Sequence, residues 1–205
     1  MSTGPRIPIP DTIAQVKRIQ TITLSWMVVE VAVALWAAAQ ARSPALLAFG
    51  GDSAIELLSA AVVLWRFRRQ LVDEDAERRA ARVAGVLLFA LTPFVVTVAT
   101  LTLLGYSEPK PSYLGITILV IAAAIMPWLA RRKRQLSSVT GSAALRADAA
   151  ESMLCAYLSF IALAGLAVRA FFGITWADPA AALAITPFIA WEAREALRGN
   201  ACSCG

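Results

Sequence analysis

Apolar residues run almost unbroken through six stretches, about Ile22–Ala41, Ala45–Trp65, Val83–Leu104, Tyr113–Leu129, Ala144–Val168 and Pro179–Ala196. Each falls within the roughly 17–25 residues that cross a bilayer as a helix, and none shows the alternation of a strand. The pattern predicts an all-α membrane protein, a bundle of six transmembrane helices. Pro93, Pro127 and Pro187 lie inside spans. Neighbouring helices can satisfy the carbonyls they free, so they do not break the reading.

The polar connectors sharpen it. "RFRRQLVDEDAERRAAR" follows the second span and "ARRKRQ" the fourth; both are rich in basic residues and fall on one side. Lys17 and Arg18 before the first span, and Arg194 and Arg198 near the end of the last, share that side. The connectors on the other side, "ARSP", "GYSEPKPS" and "FFGITWADP", are short and carry few basic residues. The positive-inside rule then predicts that both termini are cytoplasmic. Residues 1–20 read as a cytoplasmic N-terminal segment, 21–198 as the transmembrane domain, and 199–205 as a short tail containing a C-x-C. The first 20 residues lack the basic-then-apolar start of a cleavable signal.

Composition agrees. Hydrophobic residues make up 59% of the 205, above the about 45–50% of soluble domains. The net charge of +5 sits at the ends of apolar runs, where it orients helices, so no nucleic-acid partner is expected. Three cysteines make no disulfide framework, and there is no histidine. Any metal or proton chemistry must use carboxylates, thiols, hydroxyls or backbone carbonyls.

The candidate chemistry lies inside the spans. "GGDSAIELLSA" places Asp52 and Glu56 four residues apart on one face of the second helix, near its middle. A charged carboxylate there costs about 2.5–3.5 kcal/mol on insertion scales. Two acids on one face therefore imply a protein, water or cation partner. "LRADAAESMLCAYL" opens the fifth span with Asp148, Glu151 and Cys155 at spacings of three and four, again one face. Two helices that each offer an i, i+4 pair can close a four-ligand tetrahedral site, the geometry zinc prefers. The alternative is a set of neutral acids hydrogen-bonded across helices, with Cys155 as a small apolar side chain.

Other polar residues are open to two readings. Glu30 in the first span is either a proton carrier or an interhelical hydrogen-bonding acid. Ser53 and Ser59 suit helix interfaces. Asp178, beside Pro179, reads as an N-cap more readily than as a metal ligand. Cys202 and Cys204 in the tail either capture a soft cation or are exposed thiols.

"FGGDSAIELLSA", "LRADAAESMLCAYL" and "WADPAAALAI" together resemble the cation diffusion facilitators, six-helix transporters of divalent metals, many of them metal–proton antiporters. The resemblance covers about residues 20–197 in topology. It implies a substrate site of Asp52, Glu56, Glu151 and Cys155, with Asp148 and the tail thiols Cys202 and Cys204 as accessory candidates. It departs from the family pattern in three ways. Glu56 stands where Asp is usual, Glu151 and Cys155 stand where His and Asp are common, and the sequence is expected to lack the C-terminal cytoplasmic domain.

The expectation is an exporter of a divalent transition metal, zinc first and cadmium next, exchanging it for protons by alternating access. No covalent chemistry and no resident cofactor are expected, and the metal is the substrate. Its partners would be protons, the lipid bilayer and a second copy in a homodimer. Its place would be a bacterial cytoplasmic membrane. The competing readings are a membrane metal-binding or sensing protein without transport, and a proton or monovalent-ion pathway.

Overall fold

In a computed structural model, residues 10–69, 74–141 and 143–198 are described, and they form six α-helices with no strand among them. These are α1 (Pro10–Ala41), α2 (Pro44–Arg69), α3 (Glu74–Leu103), α4 (Tyr113–Thr140), α5 (Ala143–Phe172) and α6 (Ala177–Arg198). The bundle agrees with the fold class read from the sequence.

Local chemistry sets the helix ends. Ser43 caps α2: its Oγ accepts the Leu46 N–H at 3.1 Å, and Pro44 takes the first helical position, where no N–H is needed. Ser112 does the same for α4, accepting the Gly115 N–H at 3.0 Å. α4 stops at Gly141, whose φ of 67° is left-handed and whose N–H reaches Ser137 O. Pro93, Pro127 and Pro187 lie within α3, α4 and α6, which run on past them.

Four helices, α1, α3, α4 and α5, contain stretches long and apolar enough to cross a membrane. α2 and α6 are long enough: 26 and 22 residues rise about 39 and 33 Å. They pack against each other within the bundle.

α2 is the hub, touching α1, α3, α5 and α6, while α3 packs mainly against α6 and α2. Small side chains line these contacts. Ala34, Ala37, Ala38, Ala45, Ala48 and Ala122 are all buried. With no hydrophobic drive between helices in lipid, such close backbone approach supplies the packing. A Cβ on Gly50 would meet Leu35 of α1 at 2.9 Å, and one on Gly51 would meet Leu91 of α3 at 2.9 Å. The two glycines before Asp52 thus let α2 nestle between two neighbours. Large apolar side chains such as Val28, Phe89, Phe94 and Phe160 point outward.

Exposed aromatics mark two levels. Tyr113 and Trp176 stand at the starts of α4 and α6, and Trp128 and Trp191 stand further along the same helices. Exposed Arg131 and Arg194 follow each of the latter two by three residues. Aromatic side chains with a polar edge favour the membrane–water boundary.

Candidate cation site

The acids of the spans meet inside the bundle. Asp52 and Glu56 are 4% and 6% exposed, and both turn to neighbouring helices, although to different ones. Asp52 lies beside the carboxyl of Glu192 on α6. Glu56 Oε1 accepts from Ser152 Oγ of α5 at 3.1 Å. Glu151 of α5 is half-buried and within electrostatic reach of Asp52, Glu56 and Glu192.

Cys155 faces α1. Its thiol donates to Glu30 Oε1 at 3.6 Å and lies 3.7 Å from Ser53 Oγ. Ser53 Oγ donates to the same Glu30 oxygen at 2.9 Å, and Trp26 Nε1 donates to Glu30 Oε2 at 2.6 Å. Glu30 thus ties α1 to α2 and α5 by hydrogen bonds.

Asp148 belongs to a third group. Lys133 Nζ of α4 sits 2.9 Å from Asp148 Oδ1 and donates to Ser152 Oγ at 2.8 Å. Gln20 Nε2 of α1 donates to Asp148 Oδ2 at 2.6 Å. Gln20, Lys133, Asp148 and Ser152 are all essentially buried. Because Ser152 also reaches Glu56, one chain of bonds runs from Lys133 to the acid of α2.

Asp178 caps a helix, but not its own. Its Oδ1 accepts the Ala45 N–H at 3.0 Å, in the first turn of α2, and Ser43 also bonds to the carboxylate. The start of α6 is thereby fastened to the start of α2.

The four residues read as metal ligands therefore line one buried region but divide between partners. Among the described residues, no three His, Cys, Asp or Glu side chains are gathered closely enough to hold a metal ion. Cys202 and Cys204 lie outside the described residues, as does the side chain of Ser59. Sequence reasoning missed Glu192 and Lys133. Glu192 lies in an apolar run, "AITPFIAWEA", and an acid there was a readable signal. Lys133 was hidden in "ARRKRQ", where every basic residue looked like a water-facing anchor.

Among the described residues, this region holds six carboxyl side chains, Glu30, Asp52, Glu56, Asp148, Glu151 and Glu192, and one buried ammonium, Lys133, paired with Asp148. Acids buried within membrane helices are costly and commonly mark ion or proton pathways. The family model for the cation efflux transmembrane domain matches residues 21–202, and the chain belongs to that family of cation transporters. No curated protein matches it.

Proposed function

We propose that the chain exports a divalent transition metal, zinc first and cadmium next, in exchange for protons. Asp52, Glu56, Glu151 and Cys155 bind the ion, and Asp148 stays at the edge of the site, held by Lys133 and Gln20. The surplus of buried carboxyls over buried ammonium is the observation that carries this reading. A lone carboxylate in the membrane is costly, and a divalent ion offsets several at once. Protons compete with the metal for the same groups, because ligands must be deprotonated to bind. Metal outward and protons inward then use one site reached alternately from each side.

In the same reading both termini are cytoplasmic, the membrane is a bacterial cytoplasmic membrane, and the working unit is a homodimer. No covalent step is involved. The tail thiols Cys202 and Cys204 remain accessory metal ligands.

The test is metal uptake by the purified chain in proteoliposomes with a zinc-sensitive dye inside and an imposed pH gradient. Wild type should move zinc when the gradient is present and stop when it is collapsed, and Asp52→Ala should abolish movement. No flux in wild type, or full flux in Asp52→Ala, would sink the proposal.

A further inference from the structure

Ser152 of α5 stands between the buried ion pair and the acid of α2. It is fully buried, and its Oγ lies 2.8 Å from Lys133 Nζ, 3.1 Å from Glu56 Oε1 and 3.1 Å from the Asp148 carbonyl oxygen. An ammonium can only donate, so the hydroxyl accepts from Lys133 and keeps its one proton for another acceptor. The carboxyl of Asp148 does not compete for that proton. Lys133 holds one of its oxygens at 2.9 Å and Gln20 holds the other at 2.6 Å. The Asp148 carbonyl lies one turn back on α5, where it already serves the helix ladder. Glu56 is the acceptor in need. It is 6% exposed, and Ser152 makes the only hydrogen bond to its carboxyl among the described residues.

We propose that Ser152 is a positioning residue of the cation site: directed by Lys133, its hydroxyl holds Glu56 in the orientation that meets the transported ion. The inference rests on the export reading above, which makes Glu56 a ligand, and adds what aims it. A glutamate has several torsions to fix, and their ordering costs free energy. A donor that fixes the carboxyl before the ion arrives lowers what binding must supply. A hydroxyl that accepts from an ammonium is also polarised into a stronger donor. Lys133 thereby acts on the ion's ligand through Ser152 while its own charge stays paired with Asp148.

The competing explanation is that Ser152 only fastens α5 to α2 and α4. Zinc is titrated calorimetrically into the purified full chain in lipid nanodiscs, and zinc flux into proteoliposomes gives KM and kcat. Ser152→Ala should weaken zinc about 10–100-fold, the usual loss when an outer-shell partner of a metal ligand is removed. The KM for flux should rise with it while kcat changes little. X-ray absorption of the zinc-loaded variant should show as many oxygen neighbours as wild type. Ser152→Thr, which keeps the hydroxyl, should recover most of the affinity. The loss should also pass through Glu56. In a Glu56→Asp background the shorter side chain draws the carboxyl away from Ser152, so adding Ser152→Ala should cost little there.

A lower melting temperature in Ser152→Ala with wild-type zinc affinity and KM would leave only the fastening role and overturn the proposal. An equal loss in both backgrounds would overturn it too, as would one fewer oxygen neighbour, which would make Ser152 itself a ligand. Should Ser152→Ala fail to fold, Lys133→Met combined with Asp148→Asn keeps the hydroxyl and the net charge but removes what directs it. Weaker zinc with an unchanged oxygen count in that variant upholds the relay, and any other result overturns it. The export reading survives each of these failures as long as Glu56→Ala loses zinc. Absence of zinc binding in wild type would overturn both.

Discussion

Cys155 has its sulfur 3.6 Å from Glu30 Oε1 and 3.7 Å from Ser53 Oγ, so whatever it contributes to a cation is offered beside α1. If the sulfur binds the ion, Cys155→Ser should weaken cadmium more than zinc, because a hydroxyl is a poor ligand for a soft ion. Cys155→Asp should shift preference towards zinc. Cys155→Ala should also lose part of the proton release that accompanies binding, since a bound thiolate must first give up its proton. Calorimetric titration with both metals, in two buffers of different ionisation enthalpy, reads all three effects. A zinc-to-cadmium affinity ratio that is the same in every variant would place Cys155 outside the site.

Residues of this kind were legible to different degrees. Asp52, Glu56 and Asp148 stood out because acids in apolar runs need a reason, and the structure buries all three. Their partners were not legible. The i, i+4 rule fixes which face a side chain occupies, but it does not say which neighbour a carboxyl at the end of that side chain will choose. So Asp52 turns to α6 and Glu56 to α5 although they share a face.

At the scale of helices, one side of the bundle was read more closely than the other. The ends at "ARSP" and "GYSEPKPS" fall within a residue of the apolar runs, because Pro, Gly and Ser end helices there. On the basic side, α1 starts at Pro10, α3 at Glu74 and α4 ends at Thr140, each well beyond its apolar stretch. Arg, Lys, Glu, Gln and Ala are good helix formers and give no stop signal. That hidden extension is what carries Lys133 and Gln20 to Asp148, and with them the link between α1, α4 and α5.

The same link sets an expectation. Removing one partner of a buried ion pair costs about 3–5 kcal/mol, because the other charge stays buried and uncompensated. Lys133→Met should therefore lower the melting temperature of the purified protein in detergent. Adding Asp148→Asn should restore most of the loss. Equal melting of wild type, single and double variants would show that the pair contributes nothing to holding these helices together.

Across the whole molecule, α2 binds the bundle together. α1, α4 and α5 pack in series, α3 packs on α6, and α5 and α6 also meet directly. Asp52 reaches across to α6 within the bundle, and Asp178 joins the starts of α6 and α2. The centre is thus framed by α2 on one side and by α5 and α6 on the others, and α3 adds no acid to it among the described residues. This arrangement was only partly legible. Six spans follow from hydropathy alone, but which of them touch depends on small residues such as Gly50 and Gly51, whose role shows only once Leu35 and Leu91 are seen beside them.

The two aromatic levels have a consequence for where the molecule works best. Tyr113 to Trp128 and Trp176 to Trp191 are each 15 positions apart, about 22 Å along a helix. A typical hydrocarbon core is about 30 Å thick, and each ångström of mismatch costs a fraction of a kcal/mol. Rings that set the depth at this spacing would suit short acyl tails. Reconstituted into a series of phosphatidylcholines of increasing acyl length, it should melt highest in the thinner bilayers and lose stability as the tails lengthen. A melting temperature indifferent to tail length, or highest in the longest lipids, would mean that these rings do not set its depth, and that the fit between protein and lipid is fixed elsewhere on its surface.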